Sequence, residues 1–420
     1  MRVLVLDGNE NQSVAAVRSL RRAGHRVFVG ADTSWSKAGW SRACAGVFRY
    51  AAPQRDADAF VRRVVEEARR EEGTLVMPMT ERTTLPLSAR RAEVFDAGGK
   101  LVLPPHETVL RAFDKQQTTR LAESLGVAVP RTTLIDDETR AAAFAAASST
   151  RFPVVLKART SEEVAADGSL RATGAPVYAR DAREFADAYR ELSRRCSAVL
   201  AQEFVAGSGV GYFALMREGE PRAEFAHRRL RDVRPTGSGS ALRESARPDA
   251  RVREAALKIL KALRWHGVAM VEFRVRDGDG EPVFLEVNGR FWNSLPLAVY
   301  AGVDFPAMLA AMADEGDVEV NQSYAEGVRC RWLLGDFRHL VEVWRGAPAG
   351  FPGAFPSRLA ALRDFLVPVP RTFHDNFQWR DPAPEAGDWL DFFFRKLPAG
   401  LRKKSAGRKD VDVQGSYSLP

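Results

Sequence analysis

The sequence predicts an α/β domain followed by a mixed α+β region, and three observations carry that reading. Short apolar runs alternate with helical stretches over residues 1–108. A proline break, Pro104-Pro105-His106, then interrupts the chain, and strands and helices alternate less regularly after it. Two β-rich runs, Val268-Ala269-Met270-Val271-Glu272-Phe273-Arg274-Val275 and Phe284-Leu285-Glu286-Val287-Asn288-Gly289-Arg290, flank a Gly/Asp turn and read as an antiparallel hairpin.

Taken in order, Val3-Leu4-Val5-Leu6 is a short buried strand, with a turn at Asp7-Gly8-Asn9. A helix over residues 13–23 places Val14, Val17 and Leu20 on one face and stops at Gly24. Val27-Phe28-Val29, a helix over 57–72 and Leu75-Val76-Met77 continue a Rossmann-like βαβα pattern through residue 108. A dinucleotide site wants GxGxxG after the first strand, and Asp7-Gly8-Asn9-Glu10-Asn11 supplies one glycine. An NAD(P)-dependent oxidoreductase is therefore the weaker alternative.

Beyond the proline break a helix carries Phe113-Asp114-Lys115-Gln116-Gln117-Thr118 and ends at Gly126. Phe152-Pro153-Val154-Val155-Leu156-Lys157 is a strand closing on a lysine. A helix over 182–194 precedes the strand 198–205, and Gly207-Ser208-Gly209-Val210-Gly211 leads into Tyr212-Phe213-Ala214-Leu215-Met216. Residues 319–400 are crowded with aromatics, among them Trp332, Phe337, Trp344, Phe351, Phe373, Trp389 and Phe392-Phe393-Phe394, and predict a small packed appendage.

At 420 residues the chain can hold two or three units with cores of their own. No run reaches the ~18 apolar residues of a membrane span, and Asp7 interrupts the N-terminus too early for a secretory signal. Cys44, Cys196 and Cys330 are far apart, without a CxxC pair, so neither a disulfide framework nor a zinc ribbon is expected. A cytoplasmic location follows as the default. Net charge is +8, but Arg402, Lys403, Lys404, Arg408 and Lys409 concentrate it in a basic, flexible tail over 401–420. The remaining 57 basic and 54 acidic residues nearly balance, which gives no reason to expect specific nucleic-acid binding. A membrane-surface role for the aromatic and basic stretch 392–404 is a minor alternative.

The hairpin carries the chemistry. With its turn centred on Asp279, Glu272 lies opposite Glu286, and alternation adds Asn288 and Arg290 to the same face. Facing carboxylates ~5 Å apart repel unless a cation sits between them. Two carboxylates and an amide oxygen form a hard-oxygen set suited to Mg²⁺, which usually takes further ligands from nucleotide phosphates. Six histidines show no HExxH spacing and no GxSxG occurs, so zinc- and serine-hydrolase readings have no support.

In this order the segments resemble the ATP-grasp superfamily over residues 1–310, most closely its carbamoyl-phosphate-synthase-like and carboxylate–amine ligase branches. The resemblance implies a Rossmann-like N-terminal domain (1–108), a small lobe (109–200) and a large lobe with the metal hairpin (201–318), with ATP between the lobes. Lys115 and Lys157 resemble the two ATP lysines. Gln202-Glu203-Phe204-Val205 resembles the hinge whose main chain binds adenine, with Gln202, Glu203 and Val205 as contacts. Glu272, Glu286 and Asn288 match the Mg²⁺ ligands, with Mn²⁺ an alternative, and Arg290 the arginine near the terminal phosphates. No acid or histidine follows the hinge for the ribose, and Arg159-Thr160-Ser161-Glu162-Glu163-Val164 lacks the glycines usual in the phosphate-covering loop.

In the family the interval after the hinge lines the acceptor pocket. Here it holds His227-Arg228-Arg229 and Thr236-Gly237-Ser238-Gly239-Ser240, a run able to offer backbone N–H groups to an anion. Arg243, just beyond, is expected on the substrate carboxylate or its acyl phosphate, with Arg229 a second candidate and Phe291-Trp292-Asn293-Ser294 as a wall. The implied activity is ATP-dependent joining of a small-molecule carboxylate to an amine, or less readily a thiol. A catalytically silent nucleotide-binding protein is the other alternative, although no family lysine or metal ligand is missing.

Overall fold

Short apolar runs at the N-terminus build a parallel sheet. The computed structural model describes residues 1–164, 170–321, 323–347, 355–367 and 369–396; Phe351 and the basic tail lie outside the described residues. Strands β1 (Arg2–Val5), β2 (Arg26–Ala31), β3 (Gly46–Arg49) and β4 (Leu75–Met77) pair in parallel in the order β3-β2-β1-β4. Each β1 residue is buried, as expected of a parallel strand covered on both faces. Helices α1 (Asn11–Arg22), α2 (Ala57–Ala68), α3 (Glu81–Ala89) and α4 (Arg91–Asp96) complete this part. The Asp56 side chain caps α2 by accepting from the Ala59 amide. The sequence reading missed β3, in which Phe48 alone is buried.

Helices α5 (His106–Phe113) and α6 (Lys115–Ser124) follow the proline break. The small lobe contains β5 (Thr132–Ile135), α7 (Glu138–Ala146), β6 (Val154–Ala158), β7 (Glu162–Val164), β8 (Leu170–Ala172), β9 (Val177–Ala179), α8 (Ala182–Ser193) and β10 (Val199–Glu203). Its main sheet is antiparallel, in the order β5-β10-β6-β9, while β7 and β8 pair separately. Phe185, Ala188 and Leu192 of α8 pack on Val154, Leu156, Val199 and Ala201.

The large lobe adds β11 (Gly207–Arg217), β12 (Glu220–Arg234), β13 (Ser238–Ser245), α9 (Ala250–Ala262), β14 (Gly267–Arg276), β15 (Pro282–Asn288), α10 (Leu295–Ala301) and α11 (Phe305–Glu315). Strand β11 shows how both sheet faces are buried. Tyr212, Ala214 and Met216 meet Val252, Ala256 and Ile259 of α9. Phe213 and Leu215, pointing the opposite way, join a core with Trp292, Leu295, Phe305 and Val14 and Val17 of α1. That second core ties the N-terminal part to the large lobe. Helices α10 and α11 bend by 84° at their break, and no single helix among the described residues is long and apolar enough to cross a membrane.

The last segment comprises β16 (Arg329–Arg331), α12 (Leu333–Arg345), α13 (Arg358–Leu366), β17 (Thr372–His374) and α14 (Ala383–Asp391). It differs from the expected appendage, because β16 and β17 complete the large-lobe sheet in the order β15-β14-β11-β12-β13-β16-β17. Trp332 and Leu334 pack with Val233 and Ala241, and Phe337, Trp389 and Phe392 close around them. Aromatic density signalled a packed core; it did not say that the core is shared.

Candidate active site

The β14–β15 register places Glu272 opposite Glu286 and Met270 opposite Asn288, so both carboxylates and the amide share one sheet face. A β-bulge makes this compatible with the core. Glu272 pairs with Glu286, yet Phe273 pairs with Phe284, which leaves Leu285 as the extra residue. Strict alternation would put Phe284 on the same face as Glu286. The bulge instead turns Phe284 into the core beside Phe273, their rings 5.9 Å apart, and leaves Glu286 in the cleft. Gly289 follows because Trp265 packs against its backbone; a Cβ there would lie 2.3 Å from the indole.

Asn288 Nδ2 donates to Glu272 Oε1 at 3.2 Å and Glu286 Oε1 at 3.3 Å, while Oδ1 accepts from Arg290 Nη2 at 2.9 Å. The carboxylates line an open cleft, with 29% of the Glu286 side chain and 25% of the Glu272 side chain exposed. Among the described residues no three His, Cys, Asp or Glu side chains converge as a metal cage. The donor set is two carboxylates and one amide, which suits an ion that takes its other ligands from phosphates. To offer Oδ1, the Asn288 amide would turn about its last torsion, an assignment that hydrogen-bond geometry alone decides.

Cations surround this set. Asp114 caps α6 by accepting from the Gln116 and Gln117 amides, which fixes the first residue, Lys115, at the cleft. Lys115 Nζ lies 3.6 Å from Glu286 Oε2 and donates to Ser161 Oγ at 3.0 Å. Lys157, on the inner strand β6, is buried, and its ammonium pKa falls to about 8. Desolvation is the main cause, with Lys115 adding repulsion and Glu286 and Glu272 partly offsetting both. Arg229 Nη2 reaches 3.5 Å from Glu272 Oε2 across the side-chain-free position Gly209.

The two carboxylates titrate apart. Burial and the facing Glu286 raise the pKa of Glu272. Burial also pushes that of Glu286 up, but Lys115, Lys157, Asn288 and Arg290 together bring it below the ordinary range. Glu286 is the carboxylate held ionised by its lysines.

The hinge segment closes β10 and crosses to β11. Gln202 is buried with Nε2 donating to Thr132 Oγ1 at 2.9 Å, and Glu203 pairs with Arg131 at 3.1 Å. The Glu203 amide donates to Arg131 O, so it is already engaged. Val205 lies in the crossing itself, beside Gly207, whose φ of +144° and contact with Val275 O admit no side chain.

Arg243 requires a correction. It was expected on a substrate anion, but it is 1% exposed and its guanidinium holds Asp375, 0% exposed, through both carboxylate oxygens. Nη1 also donates to Ser240 O at 2.6 Å. A buried cation does need an anion, and the chain supplies it from beyond β17. Nor is 236–240 an open anion loop: the Gly237 amide closes a turn onto Arg234 O, and Ser238 begins β13. Arg228 and Arg231 are likewise spoken for, by Glu244 and Asp336.

The structure adds groups that the sequence reading passed over. Glu81 opens α3, is hydrogen-bonded to Ser161 and feels Arg290, Lys115 and Glu286. His227 bonds Ser294 Oγ at 2.8 Å and stacks on Phe213, which in turn contacts Trp292. Burial, with Arg243 and Arg229 nearby, keeps that imidazole neutral by lowering its pKa. One available signal for Glu81 was its place after β4, since ligands in open α/β sheets bind beyond the carboxyl ends of the strands.

No protein-family model matches the chain, and no curated protein matches its sequence. Solved structures do. An L-amino acid ligase from Bacillus licheniformis aligns with a TM-score of 0.55 at 18% identity, over 74% of this chain and 73% of that one. The N5-carboxyaminoimidazole ribonucleotide synthetase of Thermus thermophilus gives 0.57 at 18%, over 78% and 81%. The biotin carboxylase domain of Hydrogenobacter thermophilus 2-oxoglutarate carboxylase, in complex with MgADP, ADP and bicarbonate, gives 0.60 at 14%, over 78% and 73%. At these identities the likeness is one of fold, and the fold is that of the ATP-grasp enzymes.

Proposed function

We propose that this chain is an ADP-forming ligase that joins a small-molecule carboxylate to an amine through an acyl phosphate. One observation carries the proposal: Lys115, Lys157, Arg229 and Arg290 meet Glu272, Glu286 and Asn288 in a single cleft. Four cations against three carboxylates, Glu81 included, leave a positive excess that a polyphosphate would neutralise. The oxygen donors fit Mg²⁺, which when bound neutralises phosphate charge and aligns the reacting oxygens.

The residues divide the work. Lys157 and Lys115 hold phosphate oxygens. Arg290, steadied by Asn288, offers a planar fork to the group in transfer. Adenine sits at the hinge of Gln202, Glu203 and Val205, read by main-chain groups; with the Glu203 amide occupied, Val205 is the donor in this reading. A substrate carboxylate oxygen attacks the γ-phosphorus and ADP leaves. The amine nitrogen then attacks the acyl carbon and phosphate leaves, which supplies the leaving group that a free carboxylate lacks. Positioning and charge neutralisation are what a protein contributes to phosphoryl transfer.

An ADP-release screen over the standard amino acids and short carboxylic acids, with Mg²⁺ and separately Mn²⁺, tests this. ADP formation should require a carboxylate, rise with an amine, and vanish in Glu286→Gln. ATP turnover indifferent to every carboxylate would defeat the ligase reading.

A further inference from the structure

Glu81 lies in the cleft with a task unassigned. The turn bearing it is held firmly: Asp7 Oδ2 accepts from the Met79 amide at 3.2 Å and from Thr83 Oγ1 at 2.6 Å, and Gln12 Nε2 donates to Met79 O at 3.3 Å. The adjacent Arg82 pairs with Asp7 and Glu10. The Glu81 carboxylate is hydrogen-bonded to Ser161, which also accepts from Lys115. Its Oε2 is shielded from solvent and has no hydrogen-bond partner among the described residues. A buried, unpartnered carboxylate oxygen is costly to keep, so a position that keeps one is a place to look for a ligand.

We infer that Glu81 receives the acceptor amine: Oε2 holds the incoming ammonium group and takes its proton. The inference rests on the ligase reading above. An amine enters at neutral pH as R–NH₃⁺, which has no lone pair to attack with. Transfer of one proton to Oε2 leaves R–NH₂ and a Glu81 carboxylic acid. The nitrogen lone pair then forms the C–N bond to the acyl carbon and the C–O bond to phosphate breaks. The second proton goes from nitrogen to the departing phosphate, giving HPO₄²⁻, and Glu81 returns its own proton to solvent. The chemistry suits the site: burial raises the pKa of Glu81, and Glu286 adds to it, while Arg290, Lys115 and Ser161 restrain the rise. A carboxylate so shifted is a better base than one in water.

Glu81→Gln keeps the shape and the contact to Ser161 but removes the base. The full-length wild type and variant would be assayed with ATP, Mg²⁺ and each acid of the screen, using two nucleophiles. Hydroxylamine is already uncharged at neutral pH and traps the acyl phosphate as a hydroxamate. The standard amino acids and simple primary alkylamines arrive as ammonium ions. Glu81→Gln should keep hydroxamate formation within about threefold, while ligation to amines falls on the order of 10²-fold or more. Raising the pH should restore part of the amine reaction. Equal losses with both nucleophiles would place Glu81 in phosphate or metal handling and overturn the inference, as would an unaffected amine reaction. Failure of the wild type to form hydroxamate from any acid would instead strike the ligase reading, and this inference with it.

Discussion

The large-lobe sheet carries two clusters of charge that differ in how they are settled. At the β14–β15 end, Lys115, Lys157, Arg229 and Arg290 outnumber Glu272, Glu286 and Glu81, and the first two carboxylates remain partly open to solvent. At the β16–β17 end each cation is paired and buried, and burial and Asp388 push the additional carboxyl, Glu385, up to about 7. Arg243 holds Asp375, Arg18 holds Asp381 at 2.9 Å, and Lys37 holds Asp388 at 2.8 Å. Asn11 donates to Asp375, and Trp332 Nε1 donates to Asp388. The first cluster is poised for an anion from outside. The second clasps the C-terminal segment to the N-terminal sheet and has no need of one. Charge marks a functional site where it is left unbalanced, and a structural one where the chain has already answered it.

Breaking each cluster should give opposite signatures. The largest effect is expected in the cleft, where Glu286→Gln should lower ADP formation by ~10²–10³-fold or more, the scale of losing a charge contact made to the transferring group. Its melting temperature should fall modestly with the protein still folded, because Lys115, Lys157, Asn288 and Arg290 outweigh burial and the facing Glu272 and make the Glu286 charge net stabilising. A variant with unimpaired turnover would remove Glu286 from the metal site.

Next in size is the clasp. Asp375→Ala leaves Arg243 buried without its anion, which should cost ~3–5 kcal/mol of stability, measured by urea unfolding. The Michaelis constant for the carboxylate substrate should not move in the folded fraction. If stability held and that constant rose instead, Arg243 would return to the acceptor pocket.

A smaller effect concerns Lys157, whose ammonium pKa is about 8 in the folded chain against an ordinary 10.5. Its folded pKa is depressed, so between those values the unfolded chain binds more protons and stability rises with pH. The stability difference between wild type and Lys157→Met should therefore shift in favour of wild type across pH 8 to 10.5. kcat/KM for ATP, which reports the free enzyme, should fall above pH about 8 as the phosphate-binding ammonium is lost, and Lys157→Arg should move that limb upward. A limb that stays in place in Lys157→Arg would assign it to another group.

The smallest effect belongs to the hinge. Glu203 and Arg131 form a surface pair, worth at most ~1 kcal/mol, and adenine is read by the main chain in the proposed mode. Glu203→Ala should change the Michaelis constant for ATP less than about fivefold, as expected from a pair of that strength. A large increase would show that the side chain itself contacts the nucleotide.

Particular residues show what could be read in advance. Alternation was enough to put Glu286 and Asn288 on one face, but the pairs beside the turn, Phe273–Phe284 to Val275–Pro282, are centred half a residue before Asp279, so Glu272 faces Glu286 only through the bulge at Leu285. The bulge at Leu285 was not legible, because it appears only when Phe284 must reach a core made by distant residues. Glu81 carries no periodic signal of its own; it becomes visible once Lys115, Arg290 and Ser161 are brought around it.

The sequence by itself determined the order of the elements, the hairpin and the lysines near the end of β6 and at the start of α6. These depend on turns, caps and alternation within a few residues of one another. Only the tertiary structure decided that Arg243 answers Asp375 rather than a substrate, and that the aromatic C-terminal segment completes the large-lobe sheet. A buried charge announces in sequence that it must have a partner. Which of many carboxylates becomes that partner depends on the pairing of β13 with β16 and β17, which brings together residues 132 apart in the chain, and no local pattern encodes it.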